Sequence, residues 1–563
     1  MKMQNILLAI MPYWDAMIPP NGIAHLKSYL SRFGYNVVNK DFIIIKELQE
    51  LYFEYFDLIK KEIPEQNNGS FYNIGHDVLT DHMMGYIEID SEEKYIDYVK
   101  IVLSNVYYFT PQTKIITELN DIIHTIFQKL EQNIRSAIIE FKPNVVGLTV
   151  YAGTLPASLF AFKLIKEIDP NILTVMGGSL FSSTHTVGSP NYINLINKTE
   201  SYIDKIVIGQ GEILFQKLLN DELPPDQRIF TKADIDNRIL QFEELDLPDY
   251  SDFDNQLYPF MPLTVSTSCK YKCKFCNAVA YWGKYRIKSI KQAVDEVEVI
   301  NNKYKIQAFQ LTDSYSNAYI NEFAEELIKR ELSVYYDCYL KVDDLISNIE
   351  NTMKWRKSGL YRVRLGVESG SQRVLDLMNK RITVAQTKAT ISALAYAGVK
   401  TTLYWVLGYP GETEEDFQKT LKLLGELKND IWQAEAAPLS YFFSGQANSQ
   451  EWEAKRVHLY PENLISDPIF QTWKLDTIPS REETYKRIFR FEAECKKLGI
   501  PNPYTLNEYY EADLRWKNLH DYAVPPLYEI SDSRTQIKEN LKIPLINYAK
   551  EDTGILNNEI FNF

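Results

Sequence analysis

Apolar residues in this chain follow two rhythms that alternate along its length. Short strand-like stretches, most of them largely apolar, stand at residues 5–10, 35–41, 145–150, 172–176 and 205–208, while 20–33 and 155–168 carry apolar residues three and four apart. The runs predict strands buried on both faces, and the wider spacing predicts helices laid over them. Asp169-Pro170 ends one helix and Gly177-Gly178 turns the chain after one strand. The last strand, 205–208, runs into Gly209-Gln-Gly211-Glu212 and a further helix. Strand and helix in alternation predict an α/β fold, a doubly wound parallel sheet whose ligands sit outside the carboxyl ends of its strands.

The rhythm breaks at about residues 46–140. Helical spacing fills 47–61 and 115–141, and the polar, tyrosine-rich stretch between them matches no template. We read the whole as a helical insertion packed on the sheet edge. Residues 225–261 read as a linker, because the prolines of Leu247-Pro-Asp-Tyr-Ser-Asp-Phe253 and Tyr258-Pro-Phe-Met-Pro262 favour extended chain. From 262 the alternation resumes, with strands expected at 263–265, 306–312, 332–340, 361–367, 400–407 and 432–442. The division expected is 1–224, linker 225–261, a second α/β unit at 262–430, and a mixed C-terminal unit at 431–563 that includes an amphipathic helix over 482–498.

With 563 residues, 45% of them hydrophobic and 24% charged, the chain is globular and long enough for several cores. A net charge of −14 argues against broad binding of nucleic acid or anionic membrane. The apolar run at 6–11 stops at Pro12, too short for a signal peptide or a spanning helix. The five cysteines are clustered rather than spread for bridges, which fits a cytoplasmic protein, and the isolated Cys338 and Cys495 read as buried small hydrophobes.

The cluster is Ser266-Thr-Ser-Cys269-Lys-Tyr-Lys-Cys273-Lys-Phe-Cys276-Asn277. Thiolates ligate metal, and a structural zinc site closes with four ligands, often as two CxxC pairs. Here the second pair is missing, so a metal held by these three would keep one position open. The CxxxCxxC spacing resembles the signature of radical S-adenosylmethionine (SAM) enzymes. That resemblance implies that Cys269, Cys273 and Cys276 hold a [4Fe–4S] cluster whose fourth iron is chelated by SAM. Electron transfer into the sulfonium would then release a 5′-deoxyadenosyl radical. The six strands from 262 onward suit the family's partial (β/α)6 barrel, and the cysteine loop follows a strand end, where α/β barrels place reactive groups.

Further phrases extend the resemblance to SAM itself. Asp313, in Leu311-Thr-Asp313-Ser314, would accept a hydrogen bond from the SAM amino group with Ser314 beside it; alternatively either residue caps the next helix. Arg362-Val-Arg364-Leu-Gly366-Val-Glu368-Ser369-Gly370-Ser371 resembles the fourth-strand motif, in which Glu368 and Ser369 would face SAM and Gly366 would let the ligand come close. A structural reading has Ser371 capping a helix and Glu368 in a surface pair. Leu407-Gly-Tyr-Pro-Gly411 resembles the fifth-strand motif, with the backbone of Leu407 and Gly408 lining an adenine pocket and Phe275 packing near the base. Thr413 and Asp416 read as a helix-start box.

The first sheet resembles the cobalamin-binding domain of a large radical SAM subclass. The loops carrying Pro20 and Gly22, Tyr151, Gly177 and Gly178, and Gly209, Gly211 and Glu212 would cradle the corrin and its nucleotide tail. The motif that would supply a histidine beneath cobalt is absent: His82-Met-Met-Gly85 has Thr80 where the aspartate should stand. His82 therefore reads as an ordinary residue of the insertion. The C-terminal phrases at 442–445, 448–455 and 468–474 resemble the region that caps the barrel mouth, and Tyr441, Tyr460, Trp473 and Tyr504 face either substrate or core.

Together these features imply a cobalamin-dependent radical SAM enzyme, most simply a C-methyltransferase acting on an unactivated carbon of a peptide or natural product. The Pro-Asp-Tyr phrase before the barrel is similar to that of peptide-modifying relatives and points towards a peptide. One SAM would methylate cobalt and a second would supply the radical, with substrate held between the two centres so that proximity provides much of the rate. The alternatives are a radical rearrangement or cyclisation without methyl transfer, and a cobalamin or iron–sulfur sensor without turnover. Expected partners are a small-molecule or peptide substrate and an external electron donor of flavodoxin or ferredoxin type, with no nucleic acid and no membrane.

Overall fold

A computed structural model of the chain describes residues 4–12, 17–67, 71–182, 185–439, 441, 450–459, 473–504 and 506–530. Its first unit is a six-stranded sheet built from β1 (Asn5–Ile10), β2 (Asn36–Asp41), β3 (Val145–Thr149), β4 (Leu173–Gly177), β5 (Lys205–Val207) and β6 (Ile229–Phe230). Every pairing is parallel, in the order β2-β1-β3-β4-β5-β6. The order runs outward from β1 in both directions, so a crevice opens at the carboxyl ends of β1 and β3. Side chains alternate across β1: Ile6 and Leu8 join the core shared with the second unit, whereas Leu7 and Ala9 join the core beneath the insertion. The expectation that 205–208 is the last strand is corrected. Ile229–Phe230, inside the stretch read as linker, adds β6, which at two residues is too short to leave an alternation.

Four helices interrupt the sheet between β2 and β3, at Lys46–Glu62, Phe71–Glu88, Glu92–Tyr107 and Thr113–Phe141. The stretch without a template is the middle pair. In the second of these helices Tyr95, Tyr98 and Tyr107 are buried beside Val99, Val102, Leu103 and Val106. Tyrosine carries a large apolar ring under a polar label, which hides a helical stripe from a hydrophobic count. The linker is anchored rather than free. Tyr250 donates to Asn21 (2.7 Å) and Tyr258 to Asp41 (2.6 Å), so two buried phenols tie it to the first sheet.

The second unit contains β7 (Met261–Leu263), β8 (Ser266–Thr267), β9 (Arg286–Ile287), β10 (Ala308–Leu311), β11 (Tyr335–Leu340), β12 (Leu360–Glu368), β13 (Lys400–Leu407) and β14 (Gln433–Pro438). Six of these form a parallel sheet in the order β14-β13-β12-β11-β10-β7, and β8 and β9 form a separate antiparallel ribbon. Val363, Leu365, Val367, Leu403 and Trp405 pack outward into the core, while Arg362, Arg364 and Tyr404 alternate onto the opposite, inner face. There Arg362 and Arg364 are both held by Asp337, which satisfies the charges that the alternation buries.

The C-terminal segment was expected to cap the barrel mouth, yet its described helices do something else. Leu506–Leu519 closes the end where the strands begin: Asp513 pairs with Lys400 at the start of β13 (2.6 Å) and accepts from Trp432 (3.0 Å), and Trp516 donates to the Gly398 carbonyl (3.0 Å). Arg481–Leu498 packs against β13 and β14 and reaches the insertion, where Arg481 binds the Asn105 carbonyl. Residues 442–449, 460 and 468–472, which carry most of the phrases read as a mouth cap, lie outside the described residues. Tyr441 and Trp452 are buried beside Tyr409, and Trp473 opens a strand that pairs with 456–458. Among the described residues no helix is long and apolar enough to cross a membrane.

Candidate functional site

The three clustered cysteines stand in the loop that joins β8 to β9. The ribbon closes the loop at its base, and Ser268, held at φ 71°, donates to the Gly283 carbonyl (2.6 Å). From the side, the turn at 378–381 grips it. The Lys274 N–H donates to the Met378 carbonyl (2.9 Å) and the Asn379 amide to the Lys272 carbonyl (2.9 Å). Cys273 is buried and Cys269 and Cys276 are half-buried, and burial raises all three thiols, each further raised by a neighbouring cysteine. Among the described residues no three His, Cys, Asp or Glu side chains already have metal-ligand geometry. Three soft donors brought together on one loop nevertheless fit an iron–sulfur group.

Two lysines that the motifs did not single out face this loop. Lys380 Nζ lies 2.5 Å from Glu368 Oε1 and 5.5 Å above the Phe275 ring. Burial opposes its charge, but Glu368 and the Cys273 thiol outweigh burial and raise its pKa. Lys341 donates to the Arg381 carbonyl (3.1 Å) and lies 4.2 Å above the Tyr271 ring; burial, with Lys380 nearby, lowers it to about 8. Both cations favour thiolate over thiol in the cluster. Neither is visible in a local pattern, because each meets the loop from a different strand or turn.

The expected SAM residues divide into those that face the loop and those that build its walls. Glu368 faces it, but through a buried pair rather than the surface pair of the structural reading. Gly366 serves that pair. A Cβ there would lie 2.3 Å from Glu368 Oε1 and 2.7 Å from Lys380 Nζ, so the missing side chain makes room for the ion pair. For Asp313 the helix-cap reading is corrected. It caps no helix, and its carboxylate accepts from the N–H groups of Val265 (3.1 Å) and Ser266 (2.8 Å) and from the Tyr319 hydroxyl. Burial lifts its pKa to about 6. Asp313 thus pins the start of the ribbon that carries the cysteines, while Ser314 beside it is exposed.

Ser369 is also corrected: it is buried in the wall, where its hydroxyl meets Thr420 (3.4 Å) and accepts the Ser371 N–H (3.1 Å). Ser371 bonds Asp416 (2.6 Å) rather than its own helix, and Thr413 and Asp416 form a reciprocal helix-start cap. Leu407 is fully buried. The Gly408 N–H donates to Glu412 (2.9 Å), and at φ 74° its open face is filled by Thr484, which a Cβ would meet at 2.0 Å. Phe275, like Val406 and Leu439, packs against the buried cluster that contains Tyr409 and Met378, and its ring lies beside Lys380.

The carboxyl ends of the two sheets meet. Asn21, at the start of the helix after β1, donates to Thr264 just beyond β7 (3.2 Å), and Asn277 in the cysteine loop donates to the Ser182 carbonyl beyond β4. Around this joint, Gly22, two residues after Pro20, and Gly209 face open space, and Tyr151 is 43% exposed. Gly177 and Gly178 end β4 against Val150, while Gly211 and Glu212 open the helix Glu212–Leu219, where the Glu212 carboxylate accepts from its own and the Gly211 N–H. Open backbone beside an exposed ring at a sheet's carboxyl edge fits a large flat cofactor. His82 lies elsewhere: it is buried in the insertion between Tyr55 (2.9 Å) and Asn120 (2.7 Å), and burial lowers it to about 4.

Residues 263–424 match the model of the radical SAM superfamily. The anaerobic magnesium-protoporphyrin IX monomethyl ester cyclase of Rubrivivax gelatinosus is 30% identical over 54% of this chain and 57% of its own length. An uncharacterized methyltransferase of Pyrococcus horikoshii is 23% identical over 54% of this chain and 68% of its own. The chain thus spans little more than half the length of the first of these curated relatives. In three dimensions it resembles the radical SAM methyltransferase TsrM of Kitasatospora setae with bound tryptophan and a SAM analogue, at a TM-score of 0.57 and 13% identity over 96% of this chain and 100% of that one. At that identity the likeness is one of fold.

Proposed function

We propose, from the premise that this chain is an enzyme of the radical SAM superfamily with its domain at residues 263–424, that it is a cobalamin-dependent C-methyltransferase acting on an unactivated carbon of a peptide or natural product. The observation that carries this reading is the joint at Asn21–Thr264 and Asn277–Ser182, which turns the open edge of the first sheet and the cysteine loop of the second towards one another. Two centres on facing sheet edges share one substrate by proximity.

When bound, a [4Fe–4S] cluster with SAM would supply a carbon radical and cobalamin a methyl group. The chain's residues then have distinct tasks. Cys269, Cys273 and Cys276 hold iron as thiolates, and Lys341 and Lys380 offset their negative charge. Glu368, oriented by Lys380, accepts hydrogen bonds from SAM hydroxyl or amino groups, and the backbone at Leu407 with the Phe275 patch packs against the adenine. Asp313 is a positioning residue for the ribbon. Pro20, Gly22, Tyr151, Gly177, Gly178, Gly209, Gly211 and Glu212 border the cobalamin space, and His82 stands away from it in the insertion. An external one-electron donor of flavodoxin or ferredoxin type supplies the reducing electron.

Anaerobic reconstitution with iron, sulfide, cobalamin and SAM, followed by mass spectrometry, tests the reading. Methyl transfer predicts 5′-deoxyadenosine and S-adenosylhomocysteine together with a product that carries one added methyl group. The 30% identity to a cyclase supports ring formation as a second reading. A product of unchanged carbon count, formed without S-adenosylhomocysteine, would replace the first reading with the second.

A further inference from the structure

Four carboxylates stand on strands of the two six-stranded sheets: Asp41, Asp337, Glu368 and Glu435. Three are matched, Asp41 by the Tyr258 hydroxyl, Asp337 by Arg362 and Arg364, and Glu368 by Lys380. Glu435, in the middle of β14, has neither a hydrogen bond nor an ion pair among the described residues. Its direction is fixed by register. In the parallel pairing it stands beside Tyr404 on the inner face, while Ala434 and Ala436 on either side of it enter the outer core. Burial pushes its pKa up to about 7, although Arg362 acts against that shift.

The inner face around it has a floor and a lining. Asp337, Arg362, Arg364, Thr402 and Gln433 are buried and close the interior towards the strand starts. Tyr339, Tyr404 and Glu435 are only half-buried, and on inward-facing positions what stays accessible opens into the barrel. The Tyr339 and Tyr404 rings stack with their centroids 6.0 Å apart and their planes at 26°. Lys341, two residues beyond Tyr339, reaches the cysteine loop at Tyr271 (4.2 Å). Gly366, Tyr404 and Glu435 share one register row, which sets Glu435 two strand spacings, about 10 Å, from the glycine that admits Glu368 and Lys380. A carboxylate without a partner and two stacked rings thus line the space beneath the cysteine loop.

Burying a carboxylate without a donor is costly, and packing normally supplies one. The arginines of the floor do not: both are engaged by Asp337, and neither comes within ion-pair distance of Glu435. A bound ammonium would meet the carboxylate through a charge-assisted hydrogen bond and the tyrosine rings through their faces. We propose that Glu435, with Tyr404 and Tyr339, binds a protonated amine of the substrate, so that the substrate is a peptide or natural product that carries a free amino group. The inference rests on reading the barrel interior as the substrate space of the proposed methyltransferase. Glu435 is a specificity residue on that account: it fixes the amine on β14 and leaves the remainder of the substrate to extend towards the cysteine loop.

The test uses two probes, para-fluorobenzylamine, which is protonated at neutral pH, and para-fluorobenzyl alcohol, its uncharged counterpart. Each is titrated into the anaerobically reconstituted full chain and followed by fluorine NMR. The parent should bind the amine more tightly than the alcohol by roughly tenfold. Glu435→Gln should bind both alike, whereas Glu435→Asp, which keeps the charge, should keep a preference for the amine. Tyr404→Leu, which removes one ring and leaves the carboxylate, should reduce that preference. If Glu435→Gln does not fold, as judged by circular dichroism, the parent and Tyr404→Leu carry the same test. Equal affinities for amine and alcohol in the parent, or an unchanged preference in Glu435→Gln, would overturn the proposal. A Glu435→Gln variant that melts lower than a parent without amine preference would also overturn it, because the carboxylate would then serve the arginines. Failure of the methyltransferase reading is read separately: an enzyme that forms no methylated product yet prefers the amine loses that reading and keeps the amine site.

Discussion

Lys380 Nζ stands 2.5 Å from Glu368 Oε1 with both side chains buried, and the missing side chain of Gly366 is what admits them. The strand bulges between Gly366 and Glu368, and Glu368 takes φ 64°. The bulge turns a residue that would follow the strand's alternation into one that meets a lysine from the next turn. Two motif positions, Gly366 and Glu368, and a lysine that no motif contains thus form one unit beside the cysteine loop.

Gly366→Ala should break that unit. The added Cβ has no room while Glu368 and Lys380 remain paired, and the turn that grips the cysteine loop moves with Lys380. The expected result is a folded protein that binds less than half the parent's iron after reconstitution, read by metal analysis and by the visible absorbance of the cluster. Parental iron content in this variant would show that the pair does not support the loop.

Lys380→Met leaves Glu368 buried without its partner. Removing one member of a buried ion pair costs about 3–5 kcal/mol, whereas replacing both by apolar residues can be neutral. Urea unfolding should show a loss of that size for Lys380→Met and recovery of most of it in Glu368→Leu/Lys380→Met. A double variant no more stable than the single one would contradict this account.

Gly408 and Thr484 interlock between the barrel and the C-terminal helix. Gly408→Ala meets Thr484 and also places a side chain at φ 74°, which by itself costs of order 1 kcal/mol. The melting temperature should fall by several degrees, and Thr484→Gly in the same chain should restore the part that is steric. If the second change restores nothing, the contact is not what requires glycine.

Asp41 accepts from Tyr258 and from the Ile43 N–H at the seam between first sheet and linker, and burial pushes it up to about 6. Its folded pKa lies above its value in the unfolded chain, so the folded state binds the proton more tightly. The corresponding stability is present at low pH and is lost as pH rises from about 4 to about 6. A shift of roughly two units corresponds to about 3 kcal/mol. The stability of the parent relative to Asp41→Asn should therefore decline across that window and stay level above it, measured by denaturant unfolding at a series of pH values. A flat difference between the two proteins would place the ionisation elsewhere.

Much of this was legible along the chain, because parallel sheets buried on both faces write their strands as continuous apolar runs. Ile6 to Ile10 and Val145 to Leu148 announced themselves in that way, and three cysteines within eight positions marked the reactive loop. The tyrosine-rich pair of helices was hidden because its buried rings carry hydroxyls. β6 was hidden because two residues have no period.

What the sequence by itself determined about this protein was therefore the set of local elements and the chemistry carried on one short loop, where neighbours in sequence are neighbours in space. What the tertiary structure alone decided was the environment of each motif residue. Asp313 turned inward to hold Val265 and Ser266, Ser369 joined the wall at Thr420, and Lys380 and Lys341 arrived at the cysteines from other strands and turns. A buried carboxylate or ammonium takes the partner that packing brings to it, because leaving it unpaired costs several kcal/mol. Which partner that is depends on chain crossings that no local pattern records.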